Sequence, residues 1–177
     1  MSGIGLARRF GLIALLMGLS ATAASATAAS PAIFTLHTGL PVHSLTPGAT
    51  NPKVTPKTIH STICVTGWTS SIRPPTAYTN SLKSRQLRTY GFADRNPADY
   101  EEDHLIPLEL GGSPTDPRNL WPEPHHVVIA GHDWGSYTKD GLEDILRHRV
   151  CSGEQSLASA QNEIALNWVK YWKVWRG

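Results

Sequence analysis

Cysteine is nearly missing. The 177 residues include two, Cys64 and Cys151, and neither belongs to a Cys-x-x-Cys pair, which removes the usual signature of structural zinc or thioredoxin-like redox chemistry. Beyond the first thirty residues no apolar run is long enough to cross a bilayer, so membrane insertion of the main body is excluded. No internal repeat is present, and no His-Glu-x-x-His that would suggest a zinc peptidase. A large excess of one charge is also absent: 16 Lys and Arg stand against 14 Asp and Glu. Near-neutrality argues against a protein that coats nucleic acid by charge alone.

What is there begins with a leader. Arg8 and Arg9 precede an apolar run of about ten residues and then a tract of Ala, Ser and Thr with Ala-x-Ala sites. This is the pattern of a secretory signal peptide over residues 1–28, cleaved near Ala26 or Ala28, and it predicts a secreted or periplasmic product. Without Arg8 and Arg9 the basic residues fall from 16 to 14, equal to the acids. In an oxidising compartment two isolated cysteines most simply pair, so a Cys64–Cys151 disulfide is expected. Closing so long a loop restricts the unfolded chain by up to roughly 4 to 5 kcal/mol in the chain-entropy treatment.

Along the remaining chain, residues 29–57 are rich in Pro, Thr, Gly and Ser and read as an extended arm or linker. A single domain over residues 58–177 follows. The β-branched stretch 58–68 predicts a strand through Cys64, ended by Pro74 and Pro75. Residues 79–90 predict a short basic helix closed by Gly91. Residues 103–110 predict a buried strand, 111–117 a turn-rich loop, and Asn119 to Trp121 a returning strand interrupted by Pro122 and Pro124. Apolar spacing predicts helices over 139–150 and from Ser156 to the end, with Trp168, Trp172 and Trp175 on one apolar stripe packed as core. The fold class is therefore α+β. Charge is uneven along it: residues 53–95 hold seven Lys or Arg and one acid, whereas 99–144 hold eleven acids and two bases. That contrast suits a phosphate-binding wall beside a cation site, or equally two halves of a fold attracting each other.

The segment YEEDHLIPLELGGSPTDPRNLWPEP, residues 100–124, carries the chemistry. An Asp beside a His offers a carboxylate for a divalent cation and an imidazole to activate water. Glu101 falls on the same strand face as Asp103 and can support the metal or a bound water. The fifteen-position step from His104 to Asn119 allows the chain to fold back, so that the amide of Asn119 can fasten the loop. Gly111 and Gly112 permit the backbone such a return requires. His125, His126 and His148 read as surface residues, and Lys139 either meets phosphate or pairs with a neighbouring acid.

Glu101-x-Asp103-His104-Leu105-Ile106-Pro107, then Gly111-Gly112 and Asn119-Leu120, resembles the His-Asn-His (HNH) endonuclease motif of the ββα-metal fold. The wider stretch is similar to small exported bacterial proteins bearing that motif. In them Asn-Leu-Trp-Pro-Glu precedes a helix beginning Lys-Asp-x-x-Glu, then Val-Cys-Ser-Gly and a terminal helix ending near Asn-Trp. Here these are Asn119 to Glu123, Lys139-Asp140 with Glu143, Val150 to Gly153, and Asn167-Trp168. The likeness spans roughly residues 48–170. It implies a ββα-metal core with additional helices, His104 as general base, Asp103 as metal ligand and Asn119 as the orienting residue. The chain departs from the pattern at the third motif position, where an HNH nuclease places a second metal-ligating His or Asn at the start of the closing helix. The candidates are His132, Glu143 and Asp144.

The expectation that follows is an exported endonuclease, dependent on Mg, Mn or Zn, hydrolysing DNA or RNA with little sequence preference. Lys83, Arg85, Arg88 and Lys139 would contact substrate phosphates. The alternative is a non-catalytic exported binding domain that retains the scaffold.

Overall fold

The computed structural model describes Met1 and residues 38–176; the expected leader and the first part of the arm lie outside the described residues. The element order is helix α1 (Trp68–Ile72), helix α2 (Thr76–Thr89), strand β1 (Tyr100–His104), strand β2 (Leu120–Pro124), the short strands β3 (Val128–Ile129) and β4 (His132–Asp133), helix α3 (Ser136–Cys151) and helix α4 (Leu157–Arg176). The class is α+β: β1 pairs antiparallel with β2, and β3 with β4, in two separate two-stranded sheets.

Residues 58–68 form no strand, contrary to expectation. Ile59–Ser61 is a 3₁₀ turn, and the hydroxyls that make the stretch look β-prone bond to local backbone instead. Thr58 Oγ1 accepts from Thr55 N at 2.8 Å and donates to Lys53 O at 2.8 Å, and Thr62 Oγ1 donates to Thr58 O at 2.7 Å. Such local bonds compete directly with a ladder. The expected disulfide is present, Cys64–Cys151 with Cα atoms 5.6 Å apart, and it ties this turn region to the end of α3.

The strand expected over 103–110 starts earlier and stops at His104, and Leu108–Leu110 is a 3₁₀ turn after Pro107. Pro122 and Pro124 do not interrupt the return, because β2 runs straight through them. The register explains it. Pro122 faces Glu102 and Pro124 faces Tyr100, while Glu101↔Glu123 and Asp103↔Trp121 alternate with them. Prolines have no N–H to give, so the ladder bonds run through the alternate pairs and the prolines occupy the non-bonded positions of an edge strand.

Two apolar clusters hold these pieces. The larger joins α3 and α4 through Leu142, Leu146, Ile164 and Trp168 to Ile106 and Leu110. The smaller packs Leu87 of α2, with Tyr90 and Phe92 just after it, on Tyr100, Leu105 and Trp121 of the hairpin. The tryptophan stripe is packed as expected at Trp168, which is fully buried and donates its Nε1–H to Gly39 O at 2.9 Å. The last helix bends at Asn167, whose extended backbone interrupts it and whose Oδ1 then caps Lys170 N at 2.9 Å. The described part of the arm is irregular but packed: Thr46, Asn51 and Val54 are buried, and Thr50 bridges Gly112.

Candidate functional site

β1 carries two chemistries because its side chains alternate. His104 lines a groove of about 300 Å³ with Arg73, Pro74, Thr76, Asn80 and Lys83 from the α1–α2 region. Asp103 meets α3, where Lys139 Nζ donates to its Oδ2 at 2.5 Å.

His104 is 5 % exposed. Its Nε2 lies 3.0 Å from Pro114 O, and a carbonyl only accepts, so Nε2 carries the proton and Nδ1 the lone pair. No described residue hydrogen-bonds to Nδ1. Burial holds the imidazole below its ordinary pKa, outweighing the opposing pull of the Asp103 carboxylate and the Pro114 carbonyl. The ring is therefore neutral and fixed in one tautomer.

Asn119 fastens the loop behind it. Fully buried, its Oδ1 accepts from Ile106 N at 3.0 Å and Ala49 N at 3.3 Å, and its Nδ2 donates to Ile106 O at 2.9 Å and Ser113 O at 3.1 Å. That exhausts the amide's ordinary capacity. The loop passes so close that a Cβ on Gly112 would sit 1.7 Å from Ile106 O and 2.7 Å from Asn119 Nδ2, so no larger residue fits there.

The acidic half is organised around Lys139, which is 1 % exposed. Its ammonium donates to Asp103 Oδ2, to His104 O at 3.0 Å and to Glu143 Oε1. An ammonium has three N–H groups, and all three are used. Burial opposes its charge, but Asp103, Glu143 and Glu123 together hold its pKa well above the usual value. Burial likewise opposes the charge on Asp103, yet Lys139, through its charge and its hydrogen bond, keeps that carboxylate below its ordinary range. Glu123 is fully buried, and no described donor reaches either oxygen. Burial raises its pKa well above normal, with the neighbouring Asp103 carboxylate adding to the rise against the pull of Lys139. Glu143 is pushed up to about 8 by burial, against the effect of Lys139.

The expected third ligands are not assembled with Asp103. His132 is exposed on β4 with its ring against Trp134, and it makes no hydrogen bond to Asp103 or Glu143. Asp144 is exposed and lines a separate hollow with His148 and Trp175. Glu143 does converge with Asp103, but through Lys139. Among the described residues no group of three or more His, Cys, Asp or Glu side chains is arranged to hold a metal ion.

The expected phosphate contacts divide as well. Lys83 borders the groove, but its ammonium is spent on Pro97 O and Tyr100 O, each at 2.7 Å. Arg85 is exposed and bonds Ser81 within its own helix. Arg88 lies in another hollow with Arg95. Lys139 pairs with acids and is sealed from phosphate. Two residues escaped the sequence reading. Arg73 borders the groove beside His104, exposed and without a described hydrogen bond from its guanidinium, and only its neighbouring prolines hinted that it stood at a fixed corner. Glu123 stands in the sequence reading only as the end of the Asn-Leu-Trp-Pro-Glu stretch, with no role, and its alternation with Trp121 on β2 was the available signal. Comparison with protein-family models, with curated proteins and with solved structures finds no match.

Proposed function

We propose that the chain is an exported HNH-like phosphodiesterase acting on nucleic acid. One observation carries the reading: His104 is neutral, locked by Pro114 with Nδ1 unbonded, and borders a polar groove edged by the exposed guanidinium of Arg73. The order of hairpin β1–β2, Asn119-clamped loop and α3 supports treating these elements as a ββα core. The disulfide is compatible with export, and no described helix is long and apolar enough to cross a membrane.

In this reading a water in the groove loses a proton to His104 Nδ1 as its oxygen bonds phosphorus. Arg73 faces the phosphate, since a guanidinium forks naturally onto two of its oxygens. The P–O bond to the leaving oxygen breaks, and that oxygen takes a proton from water in the open groove. Glu101 lines the same groove, and burial together with Asp103 keeps its pKa above the ordinary range. The ligand set expected for a divalent cation (Asp103, Glu143 and His132) does not fit one: the first two close on Lys139 and the third stands apart. No step here passes through a metal.

The test is cleavage of plasmid DNA and of RNA from about pH 5 to about pH 9, with EDTA and with Mg, Mn or Zn. His104→Ala is expected to reduce cleavage by roughly 10²- to 10⁴-fold while leaving the melting curve cooperative. Intact substrates under every condition would overturn the enzymatic reading and leave a binding domain on the same scaffold.

A further inference from the structure

We propose that this site carries its cation in the chain itself: the Lys139 ammonium fills the slot between Asp103, Glu143 and the His104 carbonyl where a divalent ion would lie, and Arg73 supplies the positive charge that faces substrate. The first half of the proposal rests on geometry alone, and the second half rests on the phosphodiesterase reading.

The slot is full. Asp103 Oδ2, Glu143 Oε1 and the carbonyl of His104 are the oxygens a hard cation would collect, and each receives one N–H of the same ammonium. Lys139 comes from α3, four residues before Glu143, so that both side chains rise on one helix face and close on β1 together. Glu123 completes the wall from β2, opposite Glu101 in the register and against Asp103. With Lys139 1 % exposed and the carboxylates 13 % exposed, an ion could enter only by displacing a like charge from its three partners. Lysine at this position therefore does what a bound ion does for the scaffold: it joins strand to helix and neutralises converging carboxylates.

It does not do what an ion does for a phosphate, because all of its donors face inward. Charge for the substrate has to come from another group that borders the same groove. Of the basic residues expected to meet phosphate, Lys83 gives two of its three N–H groups to carbonyls, Arg85 is bonded within α2 and Arg88 lies elsewhere. Arg73 is exposed and lines the groove with His104, its charge felt by Glu101 and Asp140 but with no described hydrogen bond to either. Pro74 and Pro75 stiffen the chain directly after it.

Two measurements on the purified protein decide this. In a Mn²⁺ titration followed by electron paramagnetic resonance, the free-ion signal is expected to track added manganese up to about 1 mM. A one-per-chain loss of signal that Asp103→Asn abolishes would overturn the inference. In the cleavage assay, activity is expected to stay within about twofold when EDTA replaces the metal. Arg73→Gln should raise KM about tenfold, with part of the effect recovered by Arg73→Lys. Cleavage that EDTA abolishes and manganese restores would overturn the inference while leaving the phosphodiesterase reading intact. If cleavage is absent throughout, that reading fails and the contribution of Arg73 falls with it. The manganese titration still decides what fills the slot.

Discussion

Asn119 is one side chain holding four backbone groups from three chain segments, at positions 49, 106 and 113. Asn119→Ala leaves buried donors and acceptors without partners, each costing about 1–3 kcal/mol. Allowing for partial relaxation, a loss of about 3 kcal/mol in urea unfolding is expected, with His104 freed from its fixed tautomer. Glu102 presents the opposite problem. Both its oxygens are buried without described partners, and burial raises its carboxyl to about 8, opposed by Lys83 and Arg85 and assisted by Asp103. A pKa above the unfolded value means that the folded state binds the proton more tightly. The contribution of Glu102 to stability is thus fully present below the ordinary carboxylate range and is lost as pH rises through about 8. Melting temperature should fall between about pH 4.5 and about pH 8, and Glu102→Gln should flatten that fall. An unchanged slope in the variant would assign the loss to another group.

At the scale of elements, the contact between β1 and α3 is made of ions as well as apolar surface. Lys139 reaches from the helix to the strand, and Leu142 and Leu146 continue the same helix into the larger core. Lys139→Met keeps most of the volume but strands Asp103 and Glu143 without their donor. Removing one partner of a buried pair costs about 3–5 kcal/mol. The orphaned carboxyls can take up protons, so the penalty should shrink in acid: stability of Lys139→Met relative to wild type is expected to be worse at about pH 8 than at about pH 5. A pH-independent difference would mean that the lysine acts through packing alone. The hairpin itself is defined by alternation, and it shows why two prolines in one strand need not break it when both fall on non-bonded positions.

Over the whole molecule, the Cys64–Cys151 bridge closes 87 positions and joins the turn region before α1 to the end of α3. Replacing both cysteines by serine releases that constraint on the unfolded chain. The expected destabilisation is at most about 4–5 kcal/mol, read as a lower urea midpoint with little change in activity below the transition. The bridge also explains how residues 58–68 stay ordered without a strand partner: Ile63 is 1 % exposed beside a covalent anchor. The groove is bordered by α2 and β1, which themselves pack through the smaller cluster of Leu87, Tyr90 and Tyr100. Fold and groove therefore depend on both clusters at once.

What the sequence determined by itself is local. The 3.6-residue apolar spacing placed α3 and α4 within a few residues, because one buried stripe dictates that period. The double glycine and the spacing from His104 to Asn119 announced a returning loop, because a small backbone and a two-headed amide are what such a loop consumes. Two lone cysteines announced their pairing. The β-branched stretch 58–68 misled, since threonine hydroxyls favour strands only when no nearer backbone group accepts them. Tertiary structure alone decided what the carboxylates face. Spacing reveals that Lys139 and Glu143 share a helix face, but not that this face lands on Asp103 and leaves His132 outside. That outcome depends on how a helix docks on a hairpin, an arrangement set by apolar residues distant from the ions they bring together.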